Sequence, residues 1–181
     1  FRENLQKKID GWHIKNKGKE INLDEYPHAL QKNAASFVTL QIQKELRGCI
    51  GTLEAYQSMV KDVSEHAFAA AFSDPRFPAL TLEEFHQLHI EISILSAMTP
   101  IEFHDENDLL AKLKPFEDGL SIEDGPHKAT FLPQVWDSLN QPHAFLAHLK
   151  QKGGFAEGPL ASAVKAYTYQ VLSFEEAKMI R

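Results

Sequence analysis

The sequence predicts an α+β fold built on a mainly antiparallel sheet flanked by helices. Three observations predict it. Residues 36–42 alternate Phe37, Thr39 and Gln41 against Val38, Leu40 and Ile42, and residues 46–53 return after a short polar turn, which is a hairpin pattern. Residues 119–123 and 128–132 read as two further strands around Gly125-Pro126. Helical periods do not alternate regularly with single strands, which argues against a parallel βαβ sheet.

The elements follow in order. Residues 4–14 read as a short helix weakened by Gly11, since glycine costs about 1 kcal/mol inside a helix. Residues 15–32 are loop-like, with a turn at Tyr26-Pro27. After the hairpin, residues 58–72 place Met59, Val60, Val63, Ala67, Ala70 and Ala71 at helical spacing, with Ser58 as N-cap and small alanines suited to lying close against a sheet. Asp74-Pro75-Arg76-Phe77-Pro78 stops that helix, because the residue before a proline is pushed out of the α region.

Thr81-Leu82-Glu83-Glu84 has capping-box spacing and starts a short helix. Residues 89–96 form a strand with Ile90, Ile92 and Ile94 on one face and Glu91, Ser93 and Leu95 on the other. A helix around residues 108–113 follows. Pro142 opens a helix over residues 143–152, Gly153-Gly154 closes it, and residues 166–174 are a last strand.

At 181 residues the chain is a single domain with room for two lobes. Residues 1–35 form an N-terminal helix and loop, and 36–174 the motif-bearing body. The net charge of −6 disfavours nucleic-acid binding, which rests on a basic face. Only the first twenty residues are basic, with six Lys or Arg against three acids, and they read as a solvated helix and loop. No apolar run of about 18 residues is present to cross a membrane. The N-terminus is too polar for a signal peptide, although a chain that starts at Phe1 leaves a removed targeting segment open. The single cysteine excludes an internal disulfide and cysteine-rich zinc sites, and fits the cytoplasm.

Leu46-Arg47-Gly48-Cys49-Ile50-Gly51-Thr52-Leu53 is the most informative segment. Strict alternation puts Arg47, Cys49 and Gly51 on one face, where a guanidinium beside the sulfur favours the thiolate. Glycines inside a strand mark a bulge or a close approach. The competing reading is a buried, inert cysteine acting as a small hydrophobe. In 74–78, two prolines hold Arg76 in a stiff loop that either preorganises a guanidinium for an anion or makes a packing turn, with Arg76 paired to Asp74 and Phe77 in the core. If the isoleucines of 89–96 meet the apolar face of 46–53, Glu91 and Ser93 join Arg47 and Cys49 on one sheet face.

The nine histidines meet no metal-ligand spacing, and neither a metal nor a cofactor is expected. His66 reads as a partly buried, hydrogen-bonded histidine. The acidic pairs Glu117-Asp118 and Glu123-Asp124 read as solvated residues flanking turns. Phosphate-loop, Rossmann, HExxH and GxSxG motifs are absent.

Several of these segments together carry a family resemblance. Residues 46–53 resemble the LRGCIG motif of the AMMECR-one domain family, whose microbial members are named AmmeMemoRadiSam system protein A. Residues 69–77 resemble its AA-x-x-DPRF stretch, 90–96 its IEVSVLS strand, and 131–135 its LPQV motif. The resemblance runs from about residue 37 to 174. It implies an α+β fold with a larger and a smaller lobe, and association with Memo-like and radical-SAM proteins. It implies no settled reaction. It marks Cys49, Arg47, Gly48, Gly51, Asp74, Arg76, Glu91 and Ser93 as site candidates, since they lie in the matching stretches. Two segments depart from the family: residues 125–130 replace a glycine-rich basic turn, and residues 150–154 lack the usual Cys and KAG.

Two functions follow. In the first, the chain is a binding or accessory module and the LRGCIG edge docks a partner. In the second, Cys49 is a thiolate nucleophile, Arg47 or Arg76 holds a small anionic substrate, and Glu91 orients it or accepts a proton. The lack of a complete catalytic set favours the first.

Overall fold

The computed structural model describes residues 21–175. The expected helix over 4–14 and the basic stretch lie outside them. The described residues divide into one unit of 21–95 with 172–175, and a second of 96–171.

The first unit opens with a 3-10 turn at Leu23–Glu25 and the four-residue helix α1, His28–Gln31, where the sequence predicts loop. Pro27 precedes α1 and presets the chain for it. β1 (Ala35–Ile42) and β2 (Glu45–Gly51) form the expected hairpin. Gln43 and Lys44 both take positive φ, 53° and 71°, the turn geometry that matches strand twist, reached here without an Asn-Gly pair. β3 (His89–Leu95) pairs antiparallel with the other side of β1, so β2 is the outer strand.

α2, Met59–Phe72, lies over one face of this sheet. Val38 and Leu40 are fully buried there against Ala67, Ala70 and Ala71, with Leu80, Phe85, Leu88 and Ile90 around them. The alanines permit a close approach, and Gly48 completes it. A Cβ at position 48 would sit 2.1 Å from the Ala70 carbonyl oxygen. Ser58 stands at the N-cap of α2, but its hydroxyl is buried and makes no capping bond, contrary to the expected role. The predicted capping box is present at α3, Leu82–Phe85, where Thr81 and Glu84 exchange bonds.

The second unit holds β4 (Thr99–Ile101), β5 (Asp118–Asp124), β6 (His127–Phe131) and β7 over its Lys165–Val171 portion, ordered β4-β7-β5-β6 and all antiparallel. β7 as a whole is Lys165–Glu175, and its last residues belong to the first unit. β4 contains Pro100 and was not legible as a strand, since proline cannot donate to a ladder. α4 (Glu106–Lys112) and α5 (Pro142–Lys152) supply the helical side.

Leu109, Leu120, Ile122, Phe145, Leu149 and Trp136 fill the core of this unit. Trp136 comes from a 3-10 helix, Pro133–Asp137, that begins in the LPQV segment and runs past its end. It stacks on Phe145 with ring centroids 3.7 Å apart, and its indole N–H donates to the Asp118 carbonyl at 2.8 Å. Asp118 is buried rather than solvated as expected, because its carboxylate accepts the Lys114 N–H at 3.0 Å. The two departing segments meet each other: His127 Nδ1–H donates to the Gly153 carbonyl at 3.1 Å, and Lys152 Nζ to the Thr130 carbonyl at 2.9 Å.

Candidate functional site

The pairing of β1 with β2 breaks between Leu40–Gly48 and Gln41–Leu46, which leaves Arg47 unmatched. Arg47 is therefore a bulge residue, and a bulge re-aims its side chain. Strict alternation would put Arg47 on the Cys49 face. Instead its guanidinium donates from Nε and Nη2 to the two Glu84 oxygens, at 2.7 and 2.9 Å, and from Nη2 to the Pro78 carbonyl at 2.9 Å. Glu84 also accepts the Thr81 N–H at 2.9 Å. The Arg47 hydrogen bonds, foremost, hold the Glu84 carboxyl at about 2. Arg47 Nη1 is buried and has no hydrogen-bond partner among the described residues.

Cys49 faces Thr39 across the hairpin, and the Thr39 hydroxyl donates to Sγ at 3.3 Å. Because β2 is outermost, the Cys49 backbone needs partners beyond the sheet. The loop after α2 supplies them. Asp74 Oδ2 accepts the Cys49 N–H at 2.9 Å, and Arg76 Nη2 donates to the Cys49 carbonyl at 3.0 Å. Asp74 is locked in turn by Arg76, whose Nε and Nη2 donate to it at 2.9 and 2.7 Å and whose backbone N–H donates at 3.1 Å.

The Asp74 side chain is only 2% exposed, whereas that of Arg76 is 53% exposed. Hydrogen bonding from Arg76, above all, holds the Asp74 carboxyl well below the usual range. The Arg76 guanidinium is shifted upward, first by its bond to Asp74 and further by the neighbouring Cys49 sulfur. Phe77 is half-buried between two cations, with Arg47 5.7 Å and Arg76 5.5 Å from its ring centroid.

Glu91 pairs with Thr39 from the other side, so Cys49, Thr39 and Glu91 form one cross-strand row on the face away from α2. Glu91 stands two strands from Cys49, about 10 Å at ordinary strand spacing, outside hydrogen-bond reach. The next row is Gly51, Phe37 and Ser93. Gly51 leaves room for Phe37, since a Cβ there would lie 2.3 Å from the ring. Ser93 is buried and shares a 3.1 Å hydroxyl contact with Ser173.

Sequence reasoning missed Glu84 as the Arg47 partner and Thr39 as the thiol partner. Only the capping box and the alternation of β1 signalled either. His66 is buried and hydrogen-bonded on the α2 side as expected, but its partners Ser36 and Asp62 were missed. Ser36 Oγ donates to Asp62 Oδ2 at 2.6 Å, and His66 Nδ1 lies 3.1 Å from that oxygen and 3.3 Å from Ser36 Oγ. All three meet at one ring nitrogen. A serine-protease-type relay needs the imidazole to bridge through both nitrogens, so this is a packing network.

The AMMECR1 family pattern matches residues 7–174. This chain belongs to the AMMECR1 family. Protein MJ0810 of Methanocaldococcus jannaschii is 38% identical to it over 169 residues, covering 89% of this chain and 82% of the relative. A protein of Methanothermobacter thermautotrophicus is 31% identical over 159 residues, covering 84% and 81%. The crystal structure of the uncharacterized protein PH0010 from Pyrococcus horikoshii is similar to this AMMECR1 chain with a TM-score of 0.79 and 30% identity, covering 97% of this chain and 87% of that one.

Proposed function

We propose that this AMMECR1 chain is a binding and accessory component that works with Memo-like and radical-SAM proteins, and that it docks through the sheet face carrying Cys49, Thr39 and Glu91. One observation carries the reading. The charged groups of the two motifs are committed to holding backbone: Asp74 and Arg76 to Cys49, and Arg47 with Glu84 to Pro78 and Thr81. Sγ receives the Thr39 hydroxyl as a donor. Such an arrangement makes a rigid surface, and Arg76 keeps an exposed guanidinium at its rim to meet a carboxylate of a partner.

The test is titration of the full chain with Memo-like and radical-SAM proteins from one organism, followed by calorimetry. Binding is expected, and Glu91→Lys should weaken it about tenfold by reversing a charge on the docking face. Absence of binding to both proteins overturns the reading.

One observation favours a second reading, in which Cys49 is a thiolate nucleophile toward a small anionic substrate: the half-exposed Arg76 guanidinium is held at the Cys49 residue by its 3.0 Å bond to the Cys49 carbonyl. Alkylation of native and denatured protein across pH separates the two. Fast native reaction well below the ordinary thiol value of about 8.5 selects the nucleophile.

A further inference from the structure

A groove of about 490 Å³ lies within the second unit. Phe116, Glu117, Pro133, Gln134, Asp137, Gln170 and Val171 line it. Its volume falls within the range of small-ligand sites. Pro133 and Gln134 belong to the LPQV segment, which the Cys49 site does not use.

The Phe116 wall is the telling part. Lys114-Pro115-Phe116-Glu117 is a turn closed by the Glu117 N–H on the Lys114 carbonyl at 3.2 Å, and again by the Asp118 N–H at 2.9 Å. Proline takes the second place of the turn. The third place has φ +69°, where glycine or asparagine is usual, yet it is occupied by phenylalanine. A bulky residue in that region is strained, and packing does not explain its choice, because Phe116 is 59% exposed. The strained turn presents an aromatic ring to the groove, 6.4 Å from the buried Trp136 ring.

Around that ring the groove offers two carboxylates, Glu117 and Asp137, and two amides, Gln134 and Gln170, and among the described residues no lysine or arginine lines it. A cation is the complementary ligand. A planar one suits an aromatic face with carboxylates in the same lining best, because it stacks while its N–H fork donates.

We propose that the groove between the Phe116 turn and the Pro133–Asp137 helix binds a guanidinium group, stacked on Phe116 and hydrogen-bonded to Glu117 and Asp137. The group is either carried on a small molecule or presented as an arginine side chain of a peptide.

The test is calorimetry and NMR titration of the full chain with agmatine and with a blocked Ala-Arg-Ala peptide. Saturable binding of either supports the proposal. Binding of agmatine alone identifies a small-molecule source, and tighter peptide binding a protein source. Phe116→Gly is the decisive variant. It should raise the melting temperature by relieving the turn, yet weaken binding roughly two- to fivefold. Glu117→Gln with Asp137→Asn, both on the surface, should weaken it further and remove its salt dependence. No binding of either probe overturns the proposal. So does affinity unchanged in both variants, or equal affinity for a lysine-bearing peptide.

Discussion

Asp74 holds Cys49 by its backbone rather than by its thiol. Its carboxylate accepts the Cys49 N–H at 2.9 Å, and Arg76, bound to the same carboxylate, closes the rung on the Cys49 carbonyl. Two side chains thus stand where a neighbouring strand would be. The glycine-flanked cysteine and the proline-clamped loop, which look like separate motifs in sequence, are one assembly.

Asp74→Asn keeps the shape of that plug but loses its charge. The variant should lose about 2 kcal/mol of unfolding free energy, the scale of hydrogen bonds to a charged group. Urea denaturation at neutral pH checks this.

Acid should act on the same two loops. Asp74 and Glu84 are both depressed in the folded chain, so their contribution is fully present above the unfolded carboxylate values near 4. It is lost as pH falls toward the folded values, which for Glu84 is about 2. The urea midpoint should therefore fall between about pH 5 and pH 2, and Glu84→Gln should make the fall shallower. A flat wild-type profile in that window would contradict the assignment.

Gly48→Ala should be costly for a reason the chemistry of alanine does not supply. Its Cβ would meet the backbone oxygen of Ala70, which cannot swing aside. A loss of about 2 to 3 kcal/mol is expected as α2 is pushed off the sheet. Cys49→Ala removes a half-buried side chain and should cost less than 1.5 kcal/mol. Thermal melts of the pair test the ordering.

Asp62 is fully buried and tied to both Ser36 and His66. Asp62→Ala strips the partner from two buried polar groups and should cost on the order of 3 kcal/mol. Stability unchanged in that variant would show that the cluster is incidental to the fold.

Much of the architecture was legible because it rests on period. The alternation of β1 and β3, the alanine stripe of α2 and the Gly125-Pro126 hairpin turn each declare a local geometry. What stayed hidden depends on long-range pairing. Gly48 beside Arg47 marks a bulge or a close approach, but which residue is left unmatched appears only when β1 and β2 fall out of register at Leu40–Gln41. Arg47 therefore goes to Glu84, 37 residues away, instead of to the Cys49 face. Glu91 and Cys49 do share a sheet face, as the alternation of 46–53 and 89–96 allows, but the period says nothing of the strand between them. The 3-10 helix at Pro133–Asp137 was missed because three-residue turns carry little periodic signal.

The mutual contacts of residues 125–130 and 150–154 bear on how this chain can be recombined with its relatives. His127 is fixed by the Gly153 carbonyl and faces Phe155, while a Cβ at Gly153 would collide with Phe155 and Ala129. A chimaera that imports only one of the two segments would set a foreign turn against a surface shaped for this one. The two should be inherited, and grafted, as a pair.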